Sequence, residues 1–400
     1  MNKRIIGSLF TIIMSIDIYG NTLDDMFNNG KFNGQIRTGY IYDDRKNDNS
    51  PRNYATALGG QLKYETASLY GVSLGAAFYT SHRITFLSGD DEKYNNELSG
   101  DTHYDLLAEA YMNYQYDSFN LRVGRQLIDT PYADSDDIRM TPNTFEGIVA
   151  SYGMGDFTVI GAYLTKWQGP DAGSYEFEDL IPEEGGVTML ASVYEESDVE
   201  AGVWYYHVDN IADVFYADIA KTYSINDSMS LTGALQFADQ SEINHSGIEG
   251  TLYGAMLEIG YQGFTFGLAY DKLNVDHDKE YFGGFGGGVG FVNMFETAAG
   301  VFSVRQDITA WKSTIAYDFT DFGMNGMTLL YDFGTFEGDV QYKAKEHNLI
   351  FSYAPLETWD VEIAYAYIDD VDKNIAEDEI TQLPTDASIH RVLARVNYNF

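Results

Sequence analysis

Apolar and polar residues alternate with a period of two along most of this chain, the signature of strands rather than helices. Near the end, Val392, Ala394, Val396, Tyr398 and Phe400 share one face, and Arg391, Leu393, Arg395, Asn397 and Asn399 the other. Trp359, Val361, Ile363, Tyr365 and Tyr367 alternate in the same way with Asp360, Glu362, Ala364 and Ala366. In 104–116, Tyr104, Leu106, Ala108, Ala110, Met112, Tyr114 and Tyr116 oppose Asp105, Glu109, Asn113 and Gln115. About eighteen such segments, each roughly ten residues long, are predicted between 33 and 400. Short connections such as Asp117-Ser118 and Gln262-Gly263 alternate with long ones at 82–103, 129–142, 166–186, 273–307 and 370–387.

Strands of this length, with turns at one end and loops at the other, predict an all-β transmembrane antiparallel β-barrel. The physical reason is that a backbone in hydrocarbon needs internal hydrogen-bond partners, so the sheet must close on itself. Only the outward side chains need be apolar, which fits a mean hydropathy of −0.27. A soluble propeller would show similar blades of about 40–50 residues, and a β-helix a shorter repeat; neither repeat is present. The composition agrees, with 32 Tyr and 24 Phe but only 7 Pro, as expected for long strands bearing aromatic girdles.

The first residues form a separate unit. Met1-Asn2-Lys3-Arg4 precedes an apolar run from Ile5 to Met14, which reads as a signal peptide over 1–20, too short to cross a bilayer as a helix. The barrel domain then occupies 21–400, and the expected location is the outer membrane of a Gram-negative cell. Phe400, with Tyr398 and Val396 on its face, is the terminal pattern expected for recognition by the barrel-assembly machinery.

Charge narrows the function. The chain carries 24 Lys and Arg against 61 Asp and Glu, a balance of −37, so nucleic acid is excluded as a partner. Without Cys, thiolate-ligated metals are excluded too. Much of the acid lies in long loops, at Asp90, Asp91 and Glu92, at Glu176, Glu178 and Asp179, and at Asp370 and Asp372. There it reads as solvated surface or as sites for divalent bridging to outer-membrane lipid and lipopolysaccharide. Asp276, Asp278 and Glu280 lack the full ligand set of a calcium loop. The run from Phe282 to Gly290 has no Gly-Lys-Ser/Thr ending and is expected to be a flexible external loop. No cofactor and no catalytic set is implied; His82 and His103 with a nearby Asp are the remote candidates for an enzymatic alternative, and an adhesin using its loops is another.

Three stretches resemble the OprD-type outer-membrane porin family: Phe27 to Tyr40, Val123 to Pro131 continuing through Asp136 to Gly147, and His390 to Phe400. The resemblance implies an 18-stranded passive channel for small hydrophilic solutes and ions, narrowed by an inward-folded third loop at 129–142. Amino-acid-like or carboxylate-bearing solutes are expected from the same source. Parity places Arg37, Arg391 and Arg395 on neighbouring inner walls once the barrel closes, with Arg122 and Lys312 as further lumen candidates. The loop contributes Asp129, Asp134, Asp136, Asp137 and Arg139. A basic wall facing an acidic loop creates a transverse field, unless the charges pair and hold the loop. Arg125 is counted with the constriction although it falls on outward parity, so it must sit above the lipid band or follow a strand irregularity. The oligomeric state is left as monomer or homotrimer.

Overall fold

The computed structural model describes residues 22–46, 52–182, 185–276, 278–296, 306–339, 343–370 and 388–400. The predicted signal peptide and the acidic loop beyond residue 370 lie outside them. A short helix, α1 (Leu23–Asn28), opens the described chain; Thr22 caps it by accepting from Asp25 N–H. Its Met26 carbonyl accepts from Ala67 N–H at 2.9 Å, which ties the helix under the first turn.

Eighteen antiparallel strands then form the wall. They are β1 (Lys31–Lys46), β2 (Asn53–Glu65), β3 (Val72–Arg83), β4 (His103–Tyr116), β5 (Phe119–Gln126) and β6 (Thr144–Met154). There follow β7 (Phe157–Gly169), β8 (Val187–Glu196), β9 (Val199–Val208), β10 (Ala212–Asn226), β11 (Met229–Glu242) and β12 (Gly250–Tyr261). The last third comprises β13 (Phe264–Val275), β14 (Ile308–Asp318), β15 (Met327–Gly338), β16 (Lys343–Leu356), β17 (Trp359–Asp370) and β18 (Ser388–Asn399). A further short strand, Ser174–Asp179, hangs on the end of β7.

Closure is explicit. β1 pairs with β2 on one side and with β18 on the other, with Arg37 opposite Asn397, Gly39 opposite Arg395 and Asp43 opposite Arg391. The wall therefore has no free edge, as a bilayer requires.

The side chains are sorted inside out. Large apolar residues on outward parity are exposed: Ile36 51%, Leu190 58%, Leu235 59%, Leu268 59%. So broad an apolar surface is stable only against lipid. Tyr116, Tyr152, Phe157, Tyr223, Tyr261, Phe264, Trp359 and Phe400 are exposed beside the short turns, forming the aromatic girdle of one interface. In contrast to a soluble protein, the buried face carries Arg37, Asp43, Glu109, Asp271, Glu346 and Arg391.

Strict alternation fails in β4. Ala77 pairs with Glu109 and Phe78 with Leu107, so Ala108 is an extra residue and parity flips there. A bulge of this kind re-aims every later side chain. Glu109 and Tyr111 are consequently buried, Met112 is exposed, and Glu109 meets Lys63 at 2.9 Å. The sequence pattern had Met112 on the same face as Tyr104.

A throat built from inward-folded loops

The third loop, 127–143, runs inside the barrel. It is held at the β1/β18 seam by two guanidiniums. Arg37 grips Asp137 with both terminal nitrogens at 2.6 Å, donates from Nε to Asn397 Oδ1 at 2.8 Å, and donates to the Arg139 carbonyl at 2.8 Å. Arg395 donates to the Asp137 carbonyl and to Glu362 at 2.7 Å. Bidentate pairs of this kind fix geometry as well as charge.

The loop before β4, 84–102, also turns inward. Asn95 Oδ1 accepts from Glu97 N–H, while its amide nitrogen donates to Asp43 and Asn53. Leu98 is fully buried against Ile41, Ala55, Ala57, Met140 and Leu393. This places Glu97 between two guanidiniums: Arg391 at 2.6 Å and Arg139 at 2.7 Å. Arg391 further binds Asp43 at 2.6 Å and Glu296 at 2.8 Å. Burial pushes the Glu97 carboxyl up, but Arg391 and Arg139 outweigh it and hold it at about 2. Asp137 is also held low: burial opposes ionisation, and the hydrogen-bonded Arg37 guanidinium prevails.

The glycine-rich run between β13 and β14 is not a flexible external loop. Its residues 278–296 fold against the third loop inside the barrel. Asp134 N–H donates to the Phe285 carbonyl at 2.8 Å, and Phe285 N–H to the Tyr132 carbonyl at 2.9 Å. Tyr132 and Tyr281 share a hydroxyl hydrogen bond of 2.6 Å, and Gln240 on β11 exchanges two hydrogen bonds with the Phe282 backbone. The glycines permit this contact. Gly286 has φ +104°, and a Cβ there would collide with the Asp134 carbonyl, so only glycine fits. Val292 N–H donates to Asp271 Oδ2 at 2.6 Å, and Lys312 Nζ to the Asn293 carbonyl at 3.0 Å. Aromatic burial explains why the run collapses rather than waving in solvent: Tyr281, Phe285 and Phe291 join the core lined by Tyr206 and Tyr216.

Beside these loops lies a cavity of about 340 Å³, bounded by Asp134 and Asp136 of the third loop, Trp204, Tyr216 and Asp218 of the wall, Gly287–Phe291 and Lys312. Burial raises Asp134 to about 7, reinforced by Asp136 and Asp129; burial raises Asp136 to about 6, with Asp171 and Asp137 adding to it. Asp129, also pushed up by burial, sits in a two-residue pairing with Asp134.

The sequence-predicted residues thus divide. Arg37, Arg391, Arg395, Asp137 and Arg139 come together at the seam, in contact rather than across a gap. Asp129, Asp134, Asp136 and Lys312 lie nearer the other side. Arg122 faces inward, its guanidinium 4.4 Å from the Tyr111 ring. Arg125 is not on the lumen wall. It keeps its outward parity at the end of β5, pairs with Glu146 at 2.9 Å and stacks 4.1 Å from Phe177 of the extra strand. His82 and Asp105 pair at the exposed outer rim, away from the throat. Sequence reasoning missed Asp43, Glu97, Glu296, Glu362 and Asp218. Asp43 and Glu362 were legible by parity; the two loop glutamates had no periodic signal.

The family model described as outer membrane porin, OprD family, matches residues 24–368. The fold matches crystal structures of Pseudomonas aeruginosa OpdK with vanillate (TM-score 0.77, 16% identity, 94% of this chain and 99% of that one). It also matches Acinetobacter baumannii OccAB1 (0.76, 14%, 95% and 99%) and Pseudomonas aeruginosa OpdQ (0.75, 17%, 94% and 99%). No curated protein matches. The closed barrel, its inward loops and the family match together identify this chain as a member of the OprD family of outer-membrane porins, a channel rather than an enzyme.

Proposed function

We propose that the protein is a passive diffusion channel for small hydrophilic solutes, with its throat bounded jointly by the third loop and the glycine-rich loop. The observation that carries this reading is the pair of loops hydrogen-bonded to each other inside a closed wall, beside a cavity lined by both carboxylates and apolar groups. Water can follow such a lining, because its charged and amide groups substitute for part of a solute's hydration. The basic groups expected to meet carboxylate-bearing solutes are largely committed: Arg37, Arg391 and Arg395 already hold Asp137, Asp43, Glu97, Glu296 and Glu362. Vanillate belongs to the OpdK structure, and in this chain Arg122, over the Tyr111 ring, is an inward guanidinium without a carboxylate among the described residues, as is Arg83, over the Tyr94 ring.

The outward edge formed by Val396, Tyr398 and Phe400 supports its reading as an insertion signal, since Val396 and Phe400 are exposed where the assembly machinery would reach them. Proteoliposome swelling tests the channel reading. Small neutral sugars should enter quickly and large oligosaccharides should not. Equal exclusion of all solutes by folded, inserted protein would refute it.

A further inference from the structure

We propose that this channel conducts cations in preference to anions, with Asp134, Asp136 and Asp218 as the residues that set the preference. The inference rests on the channel reading above and adds the sign of the charge that passes. It starts from the basic seam. Arg37, Arg139, Arg391 and Arg395 are matched there by Asp43, Glu97, Asp137, Glu296 and Glu362, one carboxylate more than guanidiniums. Contacts of 2.6–2.8 Å make each pair a short dipole. Its potential fades well within the roughly 8 Å screening length of physiological salt. A mobile anion therefore finds little net attraction at the wall that the sequence marks as basic.

The cavity on the other side is different. Among the described residues, Asp218 projects from β10 into it with no ion pair or hydrogen bond, and neither Asp134 nor Asp136 has a cation within 4 Å. These three carboxylates come from two separate parts of the chain, the third loop and the wall, and line the same cavity. Glu195 and Glu200 line the same space. Lys312 is the basic group there, and its ammonium is turned to the Asn293 carbonyl. Trp204 and Tyr216 border the carboxylates, and aromatic rings add to the attraction for organic ammonium ions. Low-dielectric walls around an unbalanced charge raise the local concentration of its counter-ion. Potassium and small ammonium-bearing solutes are therefore the favoured passengers.

The test is the reversal potential of refolded protein in a planar bilayer under a potassium chloride gradient. At pH 8, where Asp134 and Asp136 are ionised, the wild-type permeability ratio of potassium to chloride should exceed about 3 at ~0.1 M salt, and should rise on dilution as screening weakens. The isosteric combination Asp134→Asn, Asp136→Asn and Asp218→Asn should bring the ratio close to unity while single-channel steps persist. Stepwise channels with a wild-type ratio at or below unity would overturn the inference alone. So would a triple variant, still conducting, that kept the wild-type ratio. No steps at all from inserted protein would instead remove the channel reading on which the inference stands.

Discussion

Replacing Arg391 by methionine keeps much of the side-chain volume and deletes a charge that three carboxylates share. Arg391 is 5% exposed and donates five hydrogen bonds of 2.6–3.1 Å, two to Asp43, two to Glu97 and one to Glu296. Breaking a buried pair by removing one partner costs about 3–5 kcal/mol. Glu97 retains Arg139 and is partly spared, so the lower end, about 3 kcal/mol, is the working figure. The wall is not at risk, because its ladder of hydrogen bonds closes independently of this side chain. The loss falls on the two loops that bring Glu97 and Glu296 to the seam. At about 1.4 kcal/mol per factor of ten, a loop held in place roughly 99% of the time would spend a large share of it detached. Single-channel recording should show larger mean current and frequent switching among substates. A trace from the folded variant with wild-type amplitude and noise would refute the latch.

Tyr281→Phe removes the hydroxyl bond to Tyr132 but leaves Tyr132 its contact with Gln240. It should weaken loop docking by about 1 kcal/mol, read as a modest rise in substate switching. Gly286→Val should be harsher, since its side chain meets the Asp134 backbone, and trypsin should then cut after Lys279 faster than in the wild type. Acidification separates selectivity from the latch. Asp134 and Asp136, raised by burial to about 7 and 6 and facing Asp129, Asp137, Asp171, Arg139 and Arg395, lose charge between pH 8 and 5, so the potassium-to-chloride ratio should fall over that range. Glu97 moves the other way: its carboxyl is depressed from 4.5 to about 2, so its stabilising contribution is complete above about pH 4.5 and lost only as pH drops toward 2. Substate frequency should accordingly not rise from pH 8 to 5, since burial raises Asp134, Asp136 and Glu296 and their protonation favours the folded loops, and an early rise would count against the pairing.

The wall was readable because a lipid-facing barrel imposes one rule on every strand, and the rule has a period of two. Closure then put Arg391 opposite Asp43, a contact open to anyone who applied parity to β1 and β18 together. Where the rule broke, as at the Ala108 bulge, the pattern gave no warning, since an extra residue leaves composition unchanged. The throat was harder. Asp137 was recognisable as a loop acid, but its union with Arg37 turned a supposed field across the lumen into a clasp. The fate of the glycine-rich loop depended on Phe285 and Tyr281 finding Tyr132 and Gln240 far along the chain, and no local signal records such a meeting. Arg125 behaved as its parity demanded, with Glu146 beside it on the outer surface.

The most direct test is a current trace from the purified, refolded protein in a planar bilayer. The account predicts discrete upward steps with a linear current–voltage relation near zero potential, as expected of a water-filled tube. A membrane that stays electrically silent after demonstrated insertion would contradict it.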